Sequence, residues 1–594
     1  MSEPEPGRWL KALMAMMLPL ALSACALIPT SGPVEQVDEP AVGMGAPQVD
    51  RQPMPPVPGG TPDQIVNGFL MAVSSGSATR FSVARQYLTQ QAARDWNPAE
   101  SVTIFDSTRG GLNSAEDSAT LKSPVLGRID TDGHYDAVSD VEYAHDFMMT
   151  KDAGGQWRIG DPGQGILISQ YTFEQAFRAV PVYFFDATFD RLAIENLYMN
   201  WADATVTTAM EGLLKGPSAW LSGAAASAIP PQTQLAVGSV PVSGTGVAQL
   251  SLTQQVLGLS ETQKVQMVSQ MLMTLQAFPG VTGLRIDVAG IPLSVRGQDI
   301  EGVVRLDAVP AYQPVGQPAS QDVFGLLADG SVARVPAIDG AQPRPILGPL
   351  GASGWGDTPI QIAAGPDGIR LALVSATSLW AASAVSGLPP SKLFDAPGLT
   401  RPQITETETW VISAGEAEGD PPRIWLITPY GAVQPAQPLT ELTGAKVTAF
   451  RVSPDRTRIA VVANVEGHDV LGLMRIRSTA PLMIDGWRPL TVNIGRDSMA
   501  SCLDVSWLSS TQLAVLATTS GNVAASAYRM DIDAASVQSM GPSTGDAPAM
   551  LAVQPRPSGT TAMAVTGAGA VLRYEDTTRW TEVATGFSAI ALPG

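Results

Sequence analysis

The chain has 594 residues, with 36 Lys and Arg against 55 Asp and Glu, which gives a formal net charge of −19. An acidic balance of this size excludes sequence-independent binding of nucleic acid, which requires a basic surface, and docking onto anionic lipid through a polybasic surface. Hydrophobic residues make up 45% of the chain, which is a globular rather than a disordered composition. The length favours several domains, roughly four by length alone and fewer if one of them is a large all-β unit.

Residue types that carry catalysis and metal binding are scarce. Two cysteines and three histidines in the whole chain argue against structural zinc, iron–sulfur clusters and a disulfide framework. His134, His145 and His468 are far apart, and the chain contains no nucleophile-elbow, zinc-protease or phosphate-loop motif. We therefore predict no catalytic residue, no metal site and no cofactor, and we interpret each histidine as an ordinary surface or core residue.

The N-terminus has the layout of a secretion signal. Arg8 and Lys11 precede an apolar stretch from Ala12 to Leu22, which at about 11 residues suits a signal peptide, whereas a membrane-spanning helix needs about 20. The stretch ends in Leu22-Ser23-Ala24-Cys25, which resembles a bacterial lipobox. The resemblance implies a signal peptide over residues 1–24, cleavage between Ala24 and Cys25, and attachment of an S-diacylglycerol group and an N-acyl chain to Cys25. The alternative is an ordinary secretory signal with a chance cysteine.

Residues 25–60 are rich in proline and glycine and show no apolar periodicity. We interpret them as a tether after the lipidated cysteine, with an extended reach on the order of 100 Å. No other window offers about 18 uninterrupted apolar residues, so we expect no spanning helix. If Cys25 carries lipid, Cys502 has no intramolecular partner, and its apolar surroundings predict a buried, inert thiol.

Residues 61–178 are predicted to form an α+β domain. Thr61 is placed to cap a helix that begins at Pro62. The apolar face of this helix consists of Ile65, Phe69 and Ala72. A second helix is expected to carry Phe81, Ala84, Tyr87 and Leu88 and to end near Trp96. Strands are expected at residues 135–143 and 157–159. This order of elements resembles a small NTF2-like module, in which helices pack on a curved sheet.

The string Asp130-Thr131-Asp132-Gly133-His134-Tyr135-Asp136 has carboxylates at alternating positions, as calcium loops do. The EF-hand pattern requires Gly at position six and Glu at position twelve, whereas numbering from Asp130 puts Gly133 at four and Val141 at twelve. We therefore interpret the string as an Asp-Gly hairpin turn.

A second small α+β domain is predicted for residues 181–296. A buried strand at residues 182–185 precedes a helix that ends at Gly216-Pro217. Further elements are expected in this order: strands at 234–240 and 247–251, a helix that begins after Ser260, and a last strand at 284–288. The methionines of the second helix, Met267, Met271 and Met273, are interpreted as core or flanking residues rather than as a binding face. Residues 297–319 are interpreted as a linker.

Residues 320–594 consist of short strands separated by turn residues, with weak internal repetition. Pro366-Asp367-Gly368 and Pro454-Asp455-Arg456 occupy equivalent positions in two strand–turn–strand units, 88 residues or two periods of 44 apart. Asp367 and Asp455 are interpreted as turn residues. Other copies are predicted at 404–412, 503–516 and 551–565, after an opening hairpin that turns at Asp329-Gly330. A repeat of this length is typical of propeller blades, so we predict an all-β propeller of about six blades, with a β-sandwich array as the alternative.

The order of these parts is itself specific: a lipobox, a Pro-rich tether, two α+β domains and a propeller. In this order, and over essentially its whole length, the chain resembles the LpqB lipoproteins of actinobacteria. The matching strings are Leu22–Cys25, Ala84–Thr89, Trp157–Ile159, Gly165–Ile168, Tyr183–Asp186, Leu213–Pro217 and Leu592–Gly594. Residues 190–296 resemble a GerMN module through Leu214–Pro217 and Phe278–Val281, and the last part is similar to TolB-type propellers through Pro366-Asp367-Gly368.

The resemblance implies a function outside catalysis. It implies a palmitate-carrying lipoprotein on the extracytoplasmic face of the cell membrane, which interacts with the extracytoplasmic domain of an MtrB-type sensor histidine kinase. The implied output is modulation of the MtrA–MtrB two-component system for cell-wall homeostasis and division. No contact residue can be carried over, because the family has no short binding motif that matches here.

Two other functions stay open. One is an envelope scaffold that binds peptidoglycan through the GerMN-like domain or the propeller. The other is a propeller hydrolase or lyase, which would need a cluster of carboxylates with raised pKa values in the central channel. Chance carboxylate pairs are abundant among 55 acidic residues, so the sequence cannot choose among them.

Overall fold

The computed structural model describes residues 53–76, 81–139, 141–309, 312, 318–336, 342–352, 355–541, 548–556, 559–576 and 578–594. All of them belong to one unit of the fold, Val49–Gly594. The predicted signal peptide, Cys25 and the tether as far as residue 52 lie outside the described residues. The described chain is multidomain and mostly β, with two α+β domains followed by a propeller.

The first domain begins with three helices, α1 (Pro62–Val73), α2 (Ser82–Gln86) and α3 (Gln90–Asp95). Helix α1 begins as predicted. The Thr61 side chain accepts a hydrogen bond from Gln64 N, the Gln64 side chain accepts one from Thr61 N, and Pro62 occupies the first helical position. The predicted apolar face is confirmed, because Ile65, Phe69 and Ala72 are buried.

The single second helix predicted from Phe81 to Trp96 is wrong, because the chain divides this segment into α2 and α3. Phe81 has left-handed backbone, with φ of 53°, and therefore precedes α2. Leu88 forms a bridge with Ile159. Thr89 then caps α3 by accepting a hydrogen bond from Ala92 N. The bridge at Leu88 keeps α2 from continuing, and the capping residue Thr89 starts α3.

Eight strands and a helix complete the first domain: β1 (Val102–Phe105), β2 (Gly111–Ser114), β3 (Ala119–Ile129), β4 (Tyr135–Ala137), β5 (Glu142–Asp146), β6 (Met149–Lys151), β7 (Trp157–Ile159), β8 (Ile166–Ser169) and α4 (Gln170–Ala176). The long strand β3 pairs with β1, β2, β4 and β5, and β1 pairs in parallel with β8. The strand expected at residues 135–143 is instead two strands, because β4 and β5 pair with different segments of β3. The strand predicted at 157–159 is confirmed as β7.

The end of the predicted tether is part of this domain. Tyr87 donates a hydrogen bond from its hydroxyl to Met54 O over 2.8 Å, and Gly59 N donates to Gln156 Oε1 over 2.5 Å. Residues 53–60 therefore contact the first domain instead of extending away from it.

The second domain contains β9 (Phe177–Asp186), β10 (Leu192–Asn200), α5 (Val206–Leu214), β11 (Ala225–Ala226), β12 (Val247–Leu252), α6 (Glu261–Leu275), β13 (Gly283–Val288), β14 (Ile291–Pro292) and β15 (Val304–Arg305). One sheet has the order β10-β9-β11, and the other is built on β13, which pairs with β12, β14 and β15. Both helices pack on these sheets around one core. Met267 and Met271 are fully buried in that core and Met273 is half-buried, which confirms their interpretation as core and flanking residues.

Two expectations for the second domain need correction. Residues 234–240 are described by the structure and form no strand, contrary to the prediction. An isolated bridge between Leu235 and Leu252 connects them to β12. Gly238 lies within the segment and Pro241 directly follows it, and both residue types weaken strand pairing. The segment 297–319, interpreted as a linker, begins as part of the second domain, because Val304 pairs with Leu284.

The described strands from residue 323 onward form six sheets around a ring. Blade 1 contains β16 (Val323–Leu327), β17 (Val332–Val335), β18 (Arg344–Pro345) and the last strand, β40 (Phe587–Ala591); blade 2 contains β19 (Gln361–Ala364), β20 (Arg370–Val374), β21 (Ser378–Ser383) and β22 (Ser391–Asp395); blade 3 contains β23 (Gln403–Ile404), β24 (Thr409–Ser413), β25 (Arg423–Ile427) and β26 (Gln437–Pro438). Blade 4 contains β27 (Lys446–Val452), β28 (Arg458–Val465), β29 (His468–Thr479) and β30 (Leu482–Pro489); blade 5 contains β31 (Asn493–Ile494), β32 (Asp497–Trp507), β33 (Gln512–Thr519), β34 (Asn522–Asp531) and β35 (Val537–Ser539); blade 6 contains β36 (Pro548–Gln554), β37 (Thr561–Thr566), β38 (Val571–Asp576) and β39 (Arg579–Ala584).

The predicted propeller of about six blades is confirmed. The five repeated units correspond to the first two strands of blades 2, 3, 4 and 6 and to β32 and β33 of blade 5. The opening hairpin corresponds to β16 and β17, with Val323 opposite Val335. The turn at Asp367 shows why the repeat of the blades could be recognised in the sequence. Its Oδ1 atom accepts hydrogen bonds from Ile369 N and Arg370 N over 2.8 and 3.0 Å, and Gly368 supplies the left-handed backbone with φ of 67°.

Candidate functional site

The second domain is fixed to the propeller through a buried arginine. The side chain of Arg458, at the start of β28, is only 2% exposed, and its Nη1 atom lies 3.1 Å from Asp455 Oδ2. Its Nη2 atom donates a hydrogen bond over 2.8 Å to Ile194 O in β10. A buried guanidinium needs both a counter-charge and acceptors for its remaining donors, and here the two domains supply them together.

Asp455 is a turn residue, as interpreted from the repeat, but it also has a second role. Its Oδ1 atom accepts hydrogen bonds from Ser453 Oγ, Thr457 N and Thr457 Oγ1, which closes the turn. Its other carboxylate oxygen binds Arg458. The equivalent residue Asp367 pairs with the neighbouring Arg370 within its own blade, whereas the blade 4 copy of this turn contributes to an interface with the second domain.

Trp220 makes the next contact between the second domain and blade 4. Its indole Nε1 donates to Gly486 O over 3.0 Å, and its own carbonyl accepts from Arg475 Nη1 over 2.7 Å. Arg475 is in turn paired with Asp485 at 2.8 Å. Reciprocal donation of this kind fixes the rotational position of the two surfaces as well as their separation.

All three domains meet around Tyr198 and Asp533. The Tyr198 hydroxyl, from β10, donates to Asp533 Oδ1 over 3.1 Å, in the turn between β34 and β35. The Tyr198 ring lies 5.6 Å from that of Tyr135 in the first domain, centroid to centroid. Burial, and secondly the charge of Asp531, raises the pKa of Asp533 to about 7. Burial also raises the pKa of Tyr198, followed by the charges of both aspartates.

A cavity of about 700 Å³ lies at this three-domain junction. Its mouth has ion pairs between domains, Lys215 with Asp132 at 2.7 Å and Arg488 with Asp136 at 2.7 Å. Two strings singled out from the sequence, Asp130–Asp136 and Leu214–Pro217, both contribute to its wall. They therefore act as docking elements between domains, and the Asp130 turn has the hairpin geometry predicted for it, with Gly133 N donating to Asp130 O.

The central channel contains a buried ion pair that spans three blades. Arg401 of blade 3 binds both carboxylate oxygens of Asp504 of blade 5 over 2.8 and 2.9 Å. Arg401 Nη1 donates to Leu551 O in blade 6, and Leu551 N donates back to Asp504. Burial raises the pKa of Asp504, whereas the charge of Arg401 and two backbone amides lower it. This arrangement gives both charges hydrogen-bonded partners and links blades 3, 5 and 6 to one another across the channel.

The channel geometry does not favour the hydrolase or lyase hypothesis. Among the described residues that line the channel mouth, Glu406 is the acidic side chain, and it pairs with Arg191 and Arg456. The carboxylate of Asp504, inside the channel, forms an ion pair with Arg401. Within the described residues, no three of the His, Cys, Asp and Glu side chains come together in a metal-binding group.

The remaining predicted site residues are placed as follows. Cys502 is buried and unpaired within the described residues, and burial raises the pKa of its thiol, as expected for an inert cysteine. His145 Nε2 lies 3.0 Å from Asp161 O, and His134 lies beside Asp130 at 3.4 Å in the hairpin turn. His468 is exposed at the start of β29. The predicted lipid attachment at Cys25 and cleavage after Ala24 fall outside the described residues.

The residues that join the domains were not identified from the sequence. Arg458, Tyr198 and Asp533 each lie in an ordinary strand or turn context, and their partners in the other domain are far away in the chain. The same holds for Arg401, which links blades within the propeller. The available signals were the Pro454-Asp455-Arg456 turn, which lies close to Arg458, and the strings Asp130–Asp136 and Leu214–Pro217. None of them indicated a partner in another domain. None of the helices in the described ranges is both long and apolar enough to cross a bilayer.

Comparisons with known proteins agree with this domain order. Three family models match: the lipoprotein LpqB N-terminal domain over residues 55–174, the sporulation and spore germination (Germane) domain over 181–294, and the lipoprotein LpqB β-propeller domain over 330–593. The two models specific to LpqB together cover more than half of the chain.

Curated relatives match over nearly the full length. Lipoprotein LpqB of Cutibacterium acnes is 28% identical over 96% of this chain and 97% of its own, and lipoprotein LpqB of Thermobifida fusca is 25% identical over 86% and 88%. Among solved structures, TolB from Acinetobacter baumannii is similar over 57% of this chain and 87% of its own, with 12% identity and a TM-score of 0.32, which is too low to support a conclusion. With its LpqB-specific N-terminal and propeller domains on either side of a GerMN-type domain, the chain belongs to the LpqB lipoprotein family.

Proposed function

We propose that this protein is a membrane-anchored, extracytoplasmic accessory lipoprotein that interacts with a sensor histidine kinase of the MtrB type. In this role it modulates signalling by the MtrA–MtrB two-component system for cell-wall homeostasis and division. Membership of the LpqB family supports the proposal, and the lipobox at Leu22–Cys25 supports the anchor. The attached acyl chains stably hold the protein at the membrane, because more than one chain is present.

The observation that carries the proposal is the polar docking of the second domain on the propeller. Arg458 with Ile194 O, Trp220 with Gly486 O and Tyr198 with Asp533 join separate domains through directional contacts. Such contacts favour one rigid arrangement over a set of loosely linked modules. A rigid body can stabilise one signalling state of a kinase selectively, which a flexible chain does poorly, since only differential affinity shifts an equilibrium.

An exposed apolar cluster offers a contact surface for such a partner. Leu347 of blade 1 and Val385 and Leu388 of blade 2 are 66%, 52% and 67% exposed. Their loops touch, because a Cβ on Gly348 would lie only 2.2 Å from Gly387 O. Adjacent exposed apolar side chains are typical of protein interaction sites. Anchoring on the same membrane raises the effective concentration of both proteins, so a small contact area suffices.

The test is co-purification of the full chain with the kinase after both are reconstituted in the same proteoliposomes. We expect recovery of the complex with the native chain and at least a fivefold lower recovery with the double variant Leu347→Asp, Leu388→Asp. Tyr430→Asp is the matched control, because Tyr430 is 98% exposed on blade 3. Absence of a complex with the native chain contradicts the proposal.

A parallel pull-down on purified cell wall distinguishes the scaffold function. Saturable retention of the full chain on the wall, together with no recovery of the kinase, would replace the kinase proposal by an envelope scaffold that binds peptidoglycan. Recovery of the kinase without retention on the wall supports the proposal as stated.

A further inference from the structure

An apolar patch lies on the first domain beside the segment through which the chain enters it. Met54, Val57 and Met71 are 72%, 62% and 62% exposed. Single exposed apolar side chains are ordinary, whereas several on one small surface mark a site of contact. We call these three side chains, together with the half-buried Trp157, the tether-side patch.

Contacts within the first domain place Met54 next to Met71. The Tyr87 hydroxyl donates to Met54 O over 2.8 Å. The same hydroxyl packs on Gly68 of α1, where a Cβ atom would lie only 2.6 Å from it. Met71 follows Gly68 by three positions in this helix, and residues at that spacing are neighbours on the helix surface. Met54 and Met71 therefore belong to one surface.

The same surface includes Val57 and reaches the hairpin of β6 and β7. Gly60 N donates to Val57 O over 3.0 Å, and a Cβ atom on Gly60 would lie 3.3 Å from Ile65 Cδ1 of α1. Gly59 N donates to Gln156 Oε1 over 2.5 Å. Residues 53–60 therefore run along α1 and end against the hairpin.

The hairpin adds two side chains that are typical of a membrane interface. Trp157 directly follows Gln156, and Lys151 Nζ lies 4.7 Å from the centre of the Trp157 ring. Tryptophan is enriched at the level of the lipid headgroups. Lysine covers apolar surface with its stem and keeps its charge in water. The patch is thus apolar in its middle and amphipathic at its edge.

The three elements that carry the patch have no net charge. Residues 53–60 contain no charged side chain, α1 contains Asp63, and the hairpin contains Lys151, Asp152 and Arg158. Arg158 is paired with Asp152 at 3.2 Å, and the charges of Lys151 and Asp63 are opposite. In a chain with a net charge of −19, this neutral surface can approach a bilayer without the repulsion that anionic lipid exerts on acidic surfaces.

We infer that the tether-side patch inserts into the interfacial region of the bilayer in which the protein is anchored. Met54 follows Cys25 by 29 positions, so the patch contains the exposed apolar side chains of the described chain that are nearest in sequence to the predicted anchor. A chain of that length reaches at most about 100 Å. Because the anchor and the patch belong to one polypeptide, insertion is an intramolecular step at a high effective concentration.

Three side chains are too few to hold the protein at the membrane alone. Together with the acyl chains they orient it, so that the first domain faces the lipid. The inference rests on the lipid anchor of the proposed function, but it does not depend on the kinase.

The test is the rate at which chloramine-T, a water-soluble anionic oxidant, oxidises individual methionines of the lipidated chain in phosphatidylcholine liposomes. The reference is Cys25→Ser in solution. Met54 and Met71 should be oxidised about fivefold more slowly in the liposomes than in the reference, because the interface shields them from the oxidant. Met483 is 43% exposed on blade 4 and should be oxidised at the same rate in both samples. Mass spectrometry of the peptides gives the rates.

Two variants of the lipidated chain locate the contact. Val57→Asp places a carboxylate within the patch, and a charge is unfavourable in the apolar part of a bilayer. The oxidation of Met54 and Met71 in liposomes should therefore return towards the rate of the reference. Val523→Asp makes the same change at a position that is 93% exposed on blade 5, and it should leave the protection unchanged. Equal protection in the two variants overturns the assignment.

Flotation of the liposomes and the mass of the Cys25 peptide are measured on the same samples. A chain that is not acylated and does not float contradicts the anchor and this inference together. An acylated, floating chain whose Met54 and Met71 react as in the reference contradicts this inference alone. Protection that the reference also shows at higher protein concentration would assign the patch to a second copy of the chain. Protection that requires added phosphatidylglycerol would assign the contact to the charge of Lys151, and either result overturns apolar insertion.

Discussion

The hydroxyl of Tyr198 donates a hydrogen bond to Asp533 over 3.1 Å and thereby joins the second domain to the fifth blade. The tyrosine belongs to a buried strand and the aspartate to a tight turn, and the chain segment between them includes most of the propeller. Their contact makes the junction of the domains sensitive to protonation.

Asp533 is expected to make the stability of the protein fall as the pH rises. Burial raises the pKa of Asp533 from its ordinary value of 3.8 to about 7, so the folded chain holds this proton more tightly than the unfolded chain. The resulting stabilisation is fully present below about pH 4 and is lost as the pH rises through about 7. The quantity to follow is the free energy of unfolding of Asp533→Asn minus that of the native chain. Between pH 5 and pH 8 this difference should rise by on the order of 1 to 3 kcal/mol, as measured by thermal unfolding from pH 4 to pH 9.

Asp117→Asn provides the control for this pH profile, because it makes the same change of charge at an exposed position of the first domain. Its profile should follow that of the native chain. If Asp533→Asn shows the same slope between pH 4 and pH 7 as the control, the buried carboxylate is not responsible.

Replacement of Arg458 should separate the second domain from the propeller. Arg458→Met leaves Asp455, which is fully buried, without its counter-charge, and the loss of one member of a buried pair costs about 3–5 kcal/mol. We expect lower thermal stability and faster proteolytic cleavage between the second domain and the propeller. The exposed pair of Arg423 and Glu416 gives the comparison, because Arg423→Gln should change stability by less than about 1 kcal/mol.

Closure of the ring is expected to depend on Phe587. This side chain is 1% exposed in the core shared by blades 1 and 6. Phe587→Ala should destabilise the propeller by about 3–5 kcal/mol, as measured by denaturant unfolding. Phe587→Leu keeps most of the volume and should cost less than about 1.5 kcal/mol. Equal losses in the two variants would show that packing at this position does not control closure.

Cys25 is predicted to be the point of lipid attachment. Cys25→Ser should abolish incorporation of radiolabelled palmitate and move the protein from the membrane fraction to the soluble fraction, because no acyl chain remains to enter the bilayer. Cys502→Ala is the matched control and should keep both the label and the membrane location, since its thiol is buried. Membrane retention of Cys25→Ser that resists a high-salt wash would contradict the prediction.

The fold could be predicted where its determinants are local. The turn at Pro366-Asp367-Gly368 specifies its own hydrogen bonds within four residues, so the repeated hairpins and the number of blades were readable. The capped start of α1 at Thr61 was readable for the same reason. The strand expected at 234–240 was wrong, because Gly238 within the segment and Pro241 directly after it disfavour regular strand pairing.

The sites could not be predicted, because they depend on residues brought together by the complete fold. Nothing near Arg458 in the sequence indicates that Ile194 O will be its acceptor. Nothing in the string from Asp531 to Ala535 distinguishes a docking turn from an ordinary hairpin. The same holds for Arg401 and Asp504, which are paired only because three blades face one channel.

The last strand of the chain completes the first blade, since Ile590 pairs with Gly325. A ribosome therefore produces blades 2 to 6 before blade 1 has all of its strands. A copy that is truncated before Phe587 leaves the apolar edge of β16 without a neighbour, and an uncovered edge of this kind is open to aggregation and proteolytic disposal. Only a polypeptide that includes β40 can therefore close the ring and protect the edge of β16.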